Sequence, residues 1–326
     1  MEVTNVTKKV LESYKTKLND IIINQLEKAN SEHWEKPFIT LGGGVAISNA
    51  SGKQYNGINQ FLLPLYACAN GYKSNQWGTF NHWLITKGGG KREGRKIVNC
   101  KYSLKGQKAV PVIFFKRTGL IDKNENPVLD KNGKQVFICN YKQYFVFNAD
   151  QVEGLELKED KQEDLKKPLP AVLNDVDTFV KNTMATIRTD KPGAFYSPND
   201  DYINIPKDEL FIPTKTSTQT EAKYSTLLHE LAHWTGHKSR LDRLKGSRFG
   251  STEYAYEELI AESTSAFLCN QLGISNAPRE DHAQYLKGWL KQARKDKNLI
   301  YEAFNQAWQS VEFLNNLQTK DIKQAA

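Results

Sequence analysis

Residues 225 to 237 read STLLHELAHWTGH, and they carry the pattern H-E-x-x-H at His229, Glu230 and His233. On an α-helix, residues four apart differ by about 40° in azimuth, so both imidazoles leave one face and can chelate a single ion with Glu230 alongside. The flanking Leu227, Leu228, Leu231, Ala232 and Trp234 carry no charge. That suits a helix packed in a core rather than one lying on a surface. Gly236 offers a stop after the second histidine. His237 comes too early to serve as the third histidine of the longer pattern H-E-x-x-H-x-x-G-x-x-H, and it reads as a residue that supports a ligand from behind or as a structural one.

Two histidines leave a tetrahedral zinc ion short of a third protein ligand, and a catalytic site keeps its fourth position for water. The segment STEYAYEELIAESTSAFLCNQLG, from 251 to 273, reads as a second helix with Ala255, Tyr256, Leu259, Ile260, Ala266 and Phe267 as its apolar stripe. Glu258 and Glu262 lie four apart beside that stripe and can reach one buried point, whereas Glu257 is expected to point elsewhere. Two carboxylates are costly to bury unless something positive meets them. Glu258 is assigned as the third ligand and Glu262 as the acceptor that orients a ligand histidine; the reverse assignment fits the spacing as well. The expected cofactor is Zn2+, with another divalent metal as the alternative. Such an ion lowers the pKa of its water towards about 7, so Glu230 can act as general base while the metal polarises a carbonyl, which is the chemistry of amide hydrolysis. The segment Asp201 to Pro206 is offered as a strand edge for substrate backbone. His282, Tyr254 and Tyr285 are candidate transition-state donors, and nothing local singles one out.

The rest of this half is helical from 299 onward, where Leu299, Ile300, Ala303, Phe304, Ala307, Trp308, Val311 and Leu314 keep helical spacing; the polar tail after Gln318 is expected to fray. Upstream, residues 156 to 170, ELKEDKQEDLKKPLP, are charged, free of aromatics and closed by prolines, which is a linker composition. It separates an expected domain at 1–155 from one at 171–326. The first begins with an amphipathic pattern over 4–28, then a helix-like INQFLLPLYACANGY at 58–72 and the aromatics Trp77, Phe80, His82 and Trp83. A mobile basic loop is expected at KGGGKREGRK, before two strand-like runs, 109–116 and 135–148, joined through a turn at 130–133. The fold class expected is α+β: an N-terminal α+β domain with an antiparallel sheet, and a mostly helical C-terminal domain with a small sheet.

The chain has 326 residues, 39% of them hydrophobic and 25% charged, a globular composition. No apolar run is long enough for a bilayer, the start MEVTNVTKKV lacks a signal segment, and the four cysteines form no CxxC. A cytoplasmic protein without disulfides or a membrane partner is therefore expected. The net charge of +8 is unevenly spread: residues 1–155 hold 22 Lys+Arg against 12 Asp+Glu, whereas the remainder holds 23 against 25. Between Lys87 and Arg117 ten basic residues face one acid, Glu93. This points to a polyanionic partner, nucleic acid before membrane because no basic amphipathic helix carries the charge.

Taken together, the strings WEKPF, ASGKQYNGINQFLL, ANGYKSNQWGTFNHW, YFVFNADQVEGL, AFYSPNDDYINIP, LLHELAHWTGHKSRLDR and YEELIAE resemble the ArdC-type antirestriction proteins over roughly residues 30 to 316. The first half is similar to their N-terminal single-stranded-DNA-binding domain, shared with plasmid conjugative primases. The second half is similar to their zincin-like, gluzincin-type metallopeptidase domain. The resemblance implies a protein of a plasmid or other mobile element that binds incoming single-stranded DNA and protects it from host restriction, with a thermolysin-like metal site. Where the family usually runs G-x-x-V-R-K-G-E-K-G, this chain has CKYSLKGQKA after the extra basic stretch. Single strands need cations along phosphates and aromatic faces under bases. Lys91, Arg92, Arg95, Lys96, Lys101, Lys105 and Lys108 are the charge candidates; Tyr55, Trp77, Phe80 and Trp83 are the stacking candidates. Two other readings stay open: a zinc peptidase recruited by DNA to restriction or other DNA-bound proteins, and a binding protein whose zinc is structural.

Overall fold

The computed structural model describes residues 45–122, 126–129, 135, 137–156, 169–213, 218–244, 252–274 and 298–318, with scattered positions between 15 and 24 and at 294 and 296. Most of the 4–28 pattern, the 130–133 turn, linker residues 157–168, His282, Tyr285 and the tail after Gln318 lie outside the described residues.

In the first half, β1 (Ile47–Ser48), helix α1 (Ile58–Ala69) and β2 (Gln76–Thr79) precede a π-helical turn at His82–Lys87. Next come the short strands β3 (Lys91–Glu93) and β4 (Lys96–Val98), then the long strands β5 (Val110–Gly119) and β6 (Phe137–Asn148). The sheet order is β1-β2-β6-β5. β5 and β6 pair antiparallel in unbroken register, Val110 opposite Val146 through Gly119 opposite Phe137. β5 is an edge strand, and side chains blunt it. Asn59 of α1 donates to the Ile113 carbonyl at 2.7 Å and accepts from the Ile113 amide at 3.0 Å, standing in for a neighbouring strand. Alternation places Pro111, which has no N–H to leave unpaired, on the same outer edge.

The basic stretch expected as a loop is instead a hairpin, β3 against β4, with Glu93 opposite Lys96 and a Gly94–Arg95 turn. Gly94 takes φ +60°, the left-handed value that a two-residue hairpin requires at its first turn position. The hairpin and the 100–109 loop both pack on a small second core of Trp83, Leu84, Leu104, Phe147, Ala149 and Val152 through Ile97, Cys100, Tyr102 and Ala109.

The second half contains α2 (Leu169–Asn182), β7 (Thr186–Arg188), β8 (Phe195–Ser197), β9 (Tyr202–Asn204), α3 (Gln219–Thr235), α4 (Thr252–Leu272) and α5 (Leu299–Asn316). The small sheet runs β7-β9-β8. Its middle strand is β9, so the segment 201–206 does not offer the free edge expected from sequence; β7 and β8 are the outer strands. A capping box starts α3: Thr218 Oγ1 accepts from the Glu221 amide, and Glu221 accepts from the Thr218 amide at 2.9 Å. The stripe read on α5 is buried at Ile300, Ala303, Phe304, Ala307, Val311 and Leu314.

One apolar cluster spans both halves. Phe61 of α1 stacks on Phe304 of α5 with ring centroids 3.6 Å apart and meets the edge of Phe267 of α4 at 6.2 Å. Among the described residues, no helix is long and apolar enough to cross a membrane.

Candidate metal centre

The sequence makes α3 a helix with uncharged flanks, and the fold buries it against α4. His229 and Glu230 are each 3% exposed, and Glu258 and Glu262 are buried opposite them. The two Nε2 atoms of His229 and His233 lie 3.2 Å apart. Glu258 Oε2 lies 3.5 Å from His229 Nε2, and Glu258 Oε1 lies 3.5 Å from His233 Nε2. Among the described residues these three side chains form the group able to hold a metal, their ligand atoms all within 4.8 Å of one another. Two donors each about 2.0–2.1 Å from a tetrahedral ion stand about 3.3–3.4 Å apart, so the donor set fits zinc or a similar divalent ion.

The outer ring nitrogens are each met by a carboxylate. Glu262 Oε1 lies 3.0 Å from His229 Nδ1, and Glu257 Oε1 lies 3.3 Å from His233 Nδ1. Glu257, expected to point away, is thus part of the centre. An apolar stripe implies that α4 has a wet side, yet every residue from Glu257 to Cys269 is buried. Glu257 makes a hydrogen bond with His233 Nδ1, whereas Glu262 faces His229 Nδ1 at ion-pair distance without hydrogen-bond alignment; the two Nε2 atoms are turned towards each other and call for a cation between them.

The electrostatics say the same. Burial alone would push the His229 imidazole down, but Glu262 and Glu258 outweigh it and hold it up at about 10. For His233, burial is outweighed by Glu257 and Glu258, which hold it up at about 9. Burial would raise the Glu258 carboxyl, and its two histidine neighbours instead hold it far below the usual carboxylate range. A buried cluster of this kind retains positive charge, as protons on the imidazoles or as a metal in their place.

Two arginines just after α3, which no motif marks in the sequence, also carry structure here. Arg240 donates from Nε to the Trp234 carbonyl at 2.6 Å and from Nη1 to Asp201 at 3.0 Å, with its guanidinium 3.9 Å above the Trp234 ring. It ties the end of α3 to the β8–β9 turn. Arg243 grips Glu257 with Nη2 at 2.9 Å and Nε at 3.1 Å. Gly236 ends α3 at φ −76°, so no left-handed conformation requires glycine there. Space does: a Cβ would lie 3.0 Å from Leu244 Cγ and 3.1 Å from Arg243 Nη2.

In the first half, Lys91, Arg92, Arg95 and Lys96 are exposed on the hairpin, and Lys101, Lys105 and Lys108 are exposed on the following loop. All seven therefore radiate from elements seated on the second core. Three stacking candidates are corrected: Trp77 is 0% exposed, Trp83 1% and Tyr55 5%, so none offers a free ring face. Trp83 Nε1 donates to the Phe147 carbonyl at 3.0 Å and organises the second core instead. Phe80 is 42% exposed. Its neighbour Asn81 accepts from Arg92 Nη2 at 2.6 Å, which brings the hairpin beside it. Exposed aromatics not picked out from sequence are Phe114, Tyr144 and Phe145. The Phe80 ring lies 6.3 Å from Phe147, and Phe145 follows on the same face of β6.

Residues 12–147 match the N-terminal domain of anti-restriction factor ArdC, and residues 174–306 match the zincin-like metallopeptidase family. The crystal structure of the metal-free antirestriction protein ArdC from plasmid R388 covers 93% of this chain, with 97% of its own length matched, at 33% identity and TM-score 0.63. The chain belongs to the ArdC antirestriction family. The Mn(II)-bound structure of the R388 ArdC protein is similar at 32% identity, with the same TM-score of 0.63. This ArdC-family chain is also 31% identical to the DNA primase TraC of Escherichia coli over 306 residues, but it spans only 27% of that primase's length. The protein y4eC of Sinorhizobium fredii is 29% identical over 296 residues, 88% of its length.

Proposed function

We propose that this ArdC-family protein binds single-stranded DNA through its basic first half and protects incoming DNA from restriction, and that its second half is a divalent-metal peptidase. The reading assigns residues 1–155 to DNA, 171–326 to the metal and 156–170 to the join, and it places the protein in the cytoplasm, where entering DNA meets restriction enzymes. The observation that carries it is the convergence of His229, His233 and Glu258, with two Nε2 atoms at 3.2 Å and carboxylate oxygens 3.5 Å from each.

His229, His233 and Glu258 would hold the ion, Zn2+ by its donor set and Mn2+ by the relative's precedent. A bound ion there supplies Lewis acidity towards a carbonyl oxygen and makes water more acidic. Glu230, adjacent to His229 on α3, takes the proton from the attacking water and delivers it to the leaving amine. Glu257 holds the His233 ring by its Nδ1, and Glu262 faces His229 Nδ1 at ion-pair distance. On the DNA side, the hairpin and loop cations meet phosphates while Phe80 and Phe145 offer faces to bases. The protein substrate would be a restriction enzyme or another protein bound to the DNA.

The test is plasmid transfer into a restricting host, comparing wild type with Glu230→Ala and with the triple variant R92A/R95A/K96A. Loss of protection in the Glu230 variant, with metal and DNA binding intact, supports the peptidase role. Unchanged protection there supports DNA coating alone and removes hydrolysis from the mechanism. Unchanged transfer in the triple variant overturns the DNA assignment of the hairpin.

A further inference from the structure

We propose that Arg243 is a positioning residue of the metal centre, acting through Glu257 on His233. The inference rests on the reading that the ion binds among His229, His233 and Glu258.

A guanidinium has five N–H donors in a rigid planar fork. In Arg243 every nitrogen is engaged. Nε and Nη2 meet the two Glu257 oxygens at 3.1 and 2.9 Å, Nη2 also reaches the Ala232 carbonyl at 2.9 Å, and Nη1 reaches Thr235 Oγ1 and Ser310 Oγ, each at 2.9 Å. The side chain is 6% exposed. The fork thus spans the end of α3, the start of α4 and the middle of α5. Its backbone is pinned as well, with the Arg243 amide donating to the Gly236 carbonyl at 2.9 Å.

Engaging both oxygens fixes the plane of the Glu257 carboxylate, which a single contact would leave free to rotate. In that plane Oε1 faces His233 Nδ1 at 3.3 Å. The ring is then held by its outer nitrogen, so its Nε2 stays directed at the point shared with His229 and Glu258. Partners of this kind around ligand histidines typically contribute about 10- to 100-fold in metal affinity. Gly236 belongs to the same device, because a Cβ there would push against Arg243 Nη2 at 3.1 Å and the His233 carbonyl at 3.1 Å.

The alternative is that Arg243 only clamps helices together. The two are separated with the full chain, stripped of metal and titrated with Zn2+ and with Mn2+ against a chromophoric chelator, alongside thermal unfolding of the metal-free protein. The variants are R243Q, R243K, E257Q, the double R243Q/E257Q, and F304L as a core change away from the site. We expect R243Q and E257Q each to weaken metal binding about 10- to 100-fold. The double variant should be no weaker than E257Q alone, since the arginine acts through that carboxylate. R243K keeps a cation but not the fork, and should fall between R243Q and wild type. F304L should lower the melting temperature with little change in affinity.

Wild-type affinity in R243Q or R243K overturns the proposal, as does additivity in the double variant, or affinity that merely follows melting temperature across the set including F304L. Should R243Q not fold, R243K and E257Q decide by the same criteria. A wild-type protein that binds metal no better than His229→Ala overturns the underlying site and the proposal with it. Tight wild-type binding, lost in His229→Ala but kept in both Arg243 variants, overturns the proposal alone.

Discussion

Replacing Phe61 with alanine tests whether the DNA half and the metal half stand on one core. Phe61 is 1% exposed, and its stacking partner Phe304, across the junction, is 2% exposed. Removing such a ring costs about 3–5 kcal/mol, with about 0.5–1.5 kcal/mol of it from the aromatic pair itself. That is a large share of the roughly 5–15 kcal/mol that stabilises a typical fold. At 1.4 kcal/mol per decade, the opened population rises between about 10²- and 4 × 10³-fold. Two cysteines report on the two halves separately. Cys269, on α4, is 1% exposed, and burial pushes its thiol up to about 12. Cys100, on the second core of the first half, is partly buried. The assay is a time course of thiol labelling on metal-free protein, with labelled peptides quantified by mass spectrometry. Cys269 should label faster in Phe61→Ala by that same factor, although the substitution lies in the other half of the chain. If Cys269 keeps its wild-type rate while Cys100 accelerates, the halves open independently and the shared-core argument is refuted.

Three further outcomes follow from the same geometry. The triple variant R92A/R95A/K96A should lower the steepness of log affinity against log salt for single-stranded DNA by about 2, at roughly 0.7 per lost phosphate contact; an unchanged slope measured by fluorescence anisotropy would take the hairpin off the DNA. Phe80→Ala and Phe145→Ala should each weaken the same binding by about 1–3 kcal/mol without changing the salt slope, and wild-type affinity in both would remove the stacking assignment. In metal-free protein, His229 and His233 are held at about 10 and about 9, above the ordinary value of about 6.5. Protonated imidazoles therefore stabilise the fold fully below pH ~6.5, and that contribution is lost as pH rises through those values. Melting temperature in chelator should fall across that window, and a flat or rising profile would contradict the charge assignment.

What could be read from sequence divides by whether the feature is local. The H-E-x-x-H pair was legible because helical spacing alone puts His229 and His233 on one face. The positive first half was legible because charge is additive, but the shape of KGGGKREGRK was not. Its glycines suggested a loop, whereas Gly94 serves the turn of a hairpin. Aromatic exposure was the least legible, because it depends on what the ring meets across the fold. Trp77 sits among polar neighbours in the sequence yet is fully enclosed, and Phe145, inside an apolar run, is 52% exposed. Pairing of β6 with β2 and β5 decides this, and that pairing is set by residues far away in the chain.

Glu257 departs from the pattern of its helix for a physical reason. A helix with a stripe ordinarily keeps its remaining faces in water, and on that pattern Glu257, one residue before Glu258, belongs outside. On α4 no such face exists from Glu257 to Cys269. Once all three glutamates are buried, each needs a positive or proton-bearing partner, and the need is met locally: Glu262 at His229, Glu258 between both histidines, Glu257 at His233 and Arg243. The arginine lies fourteen residues before its carboxylate and on a different element, so no helical periodicity links them. The run of acids on α4 stands in the sequence, but its burial does not, and it is burial that demands a cation beyond the two histidines.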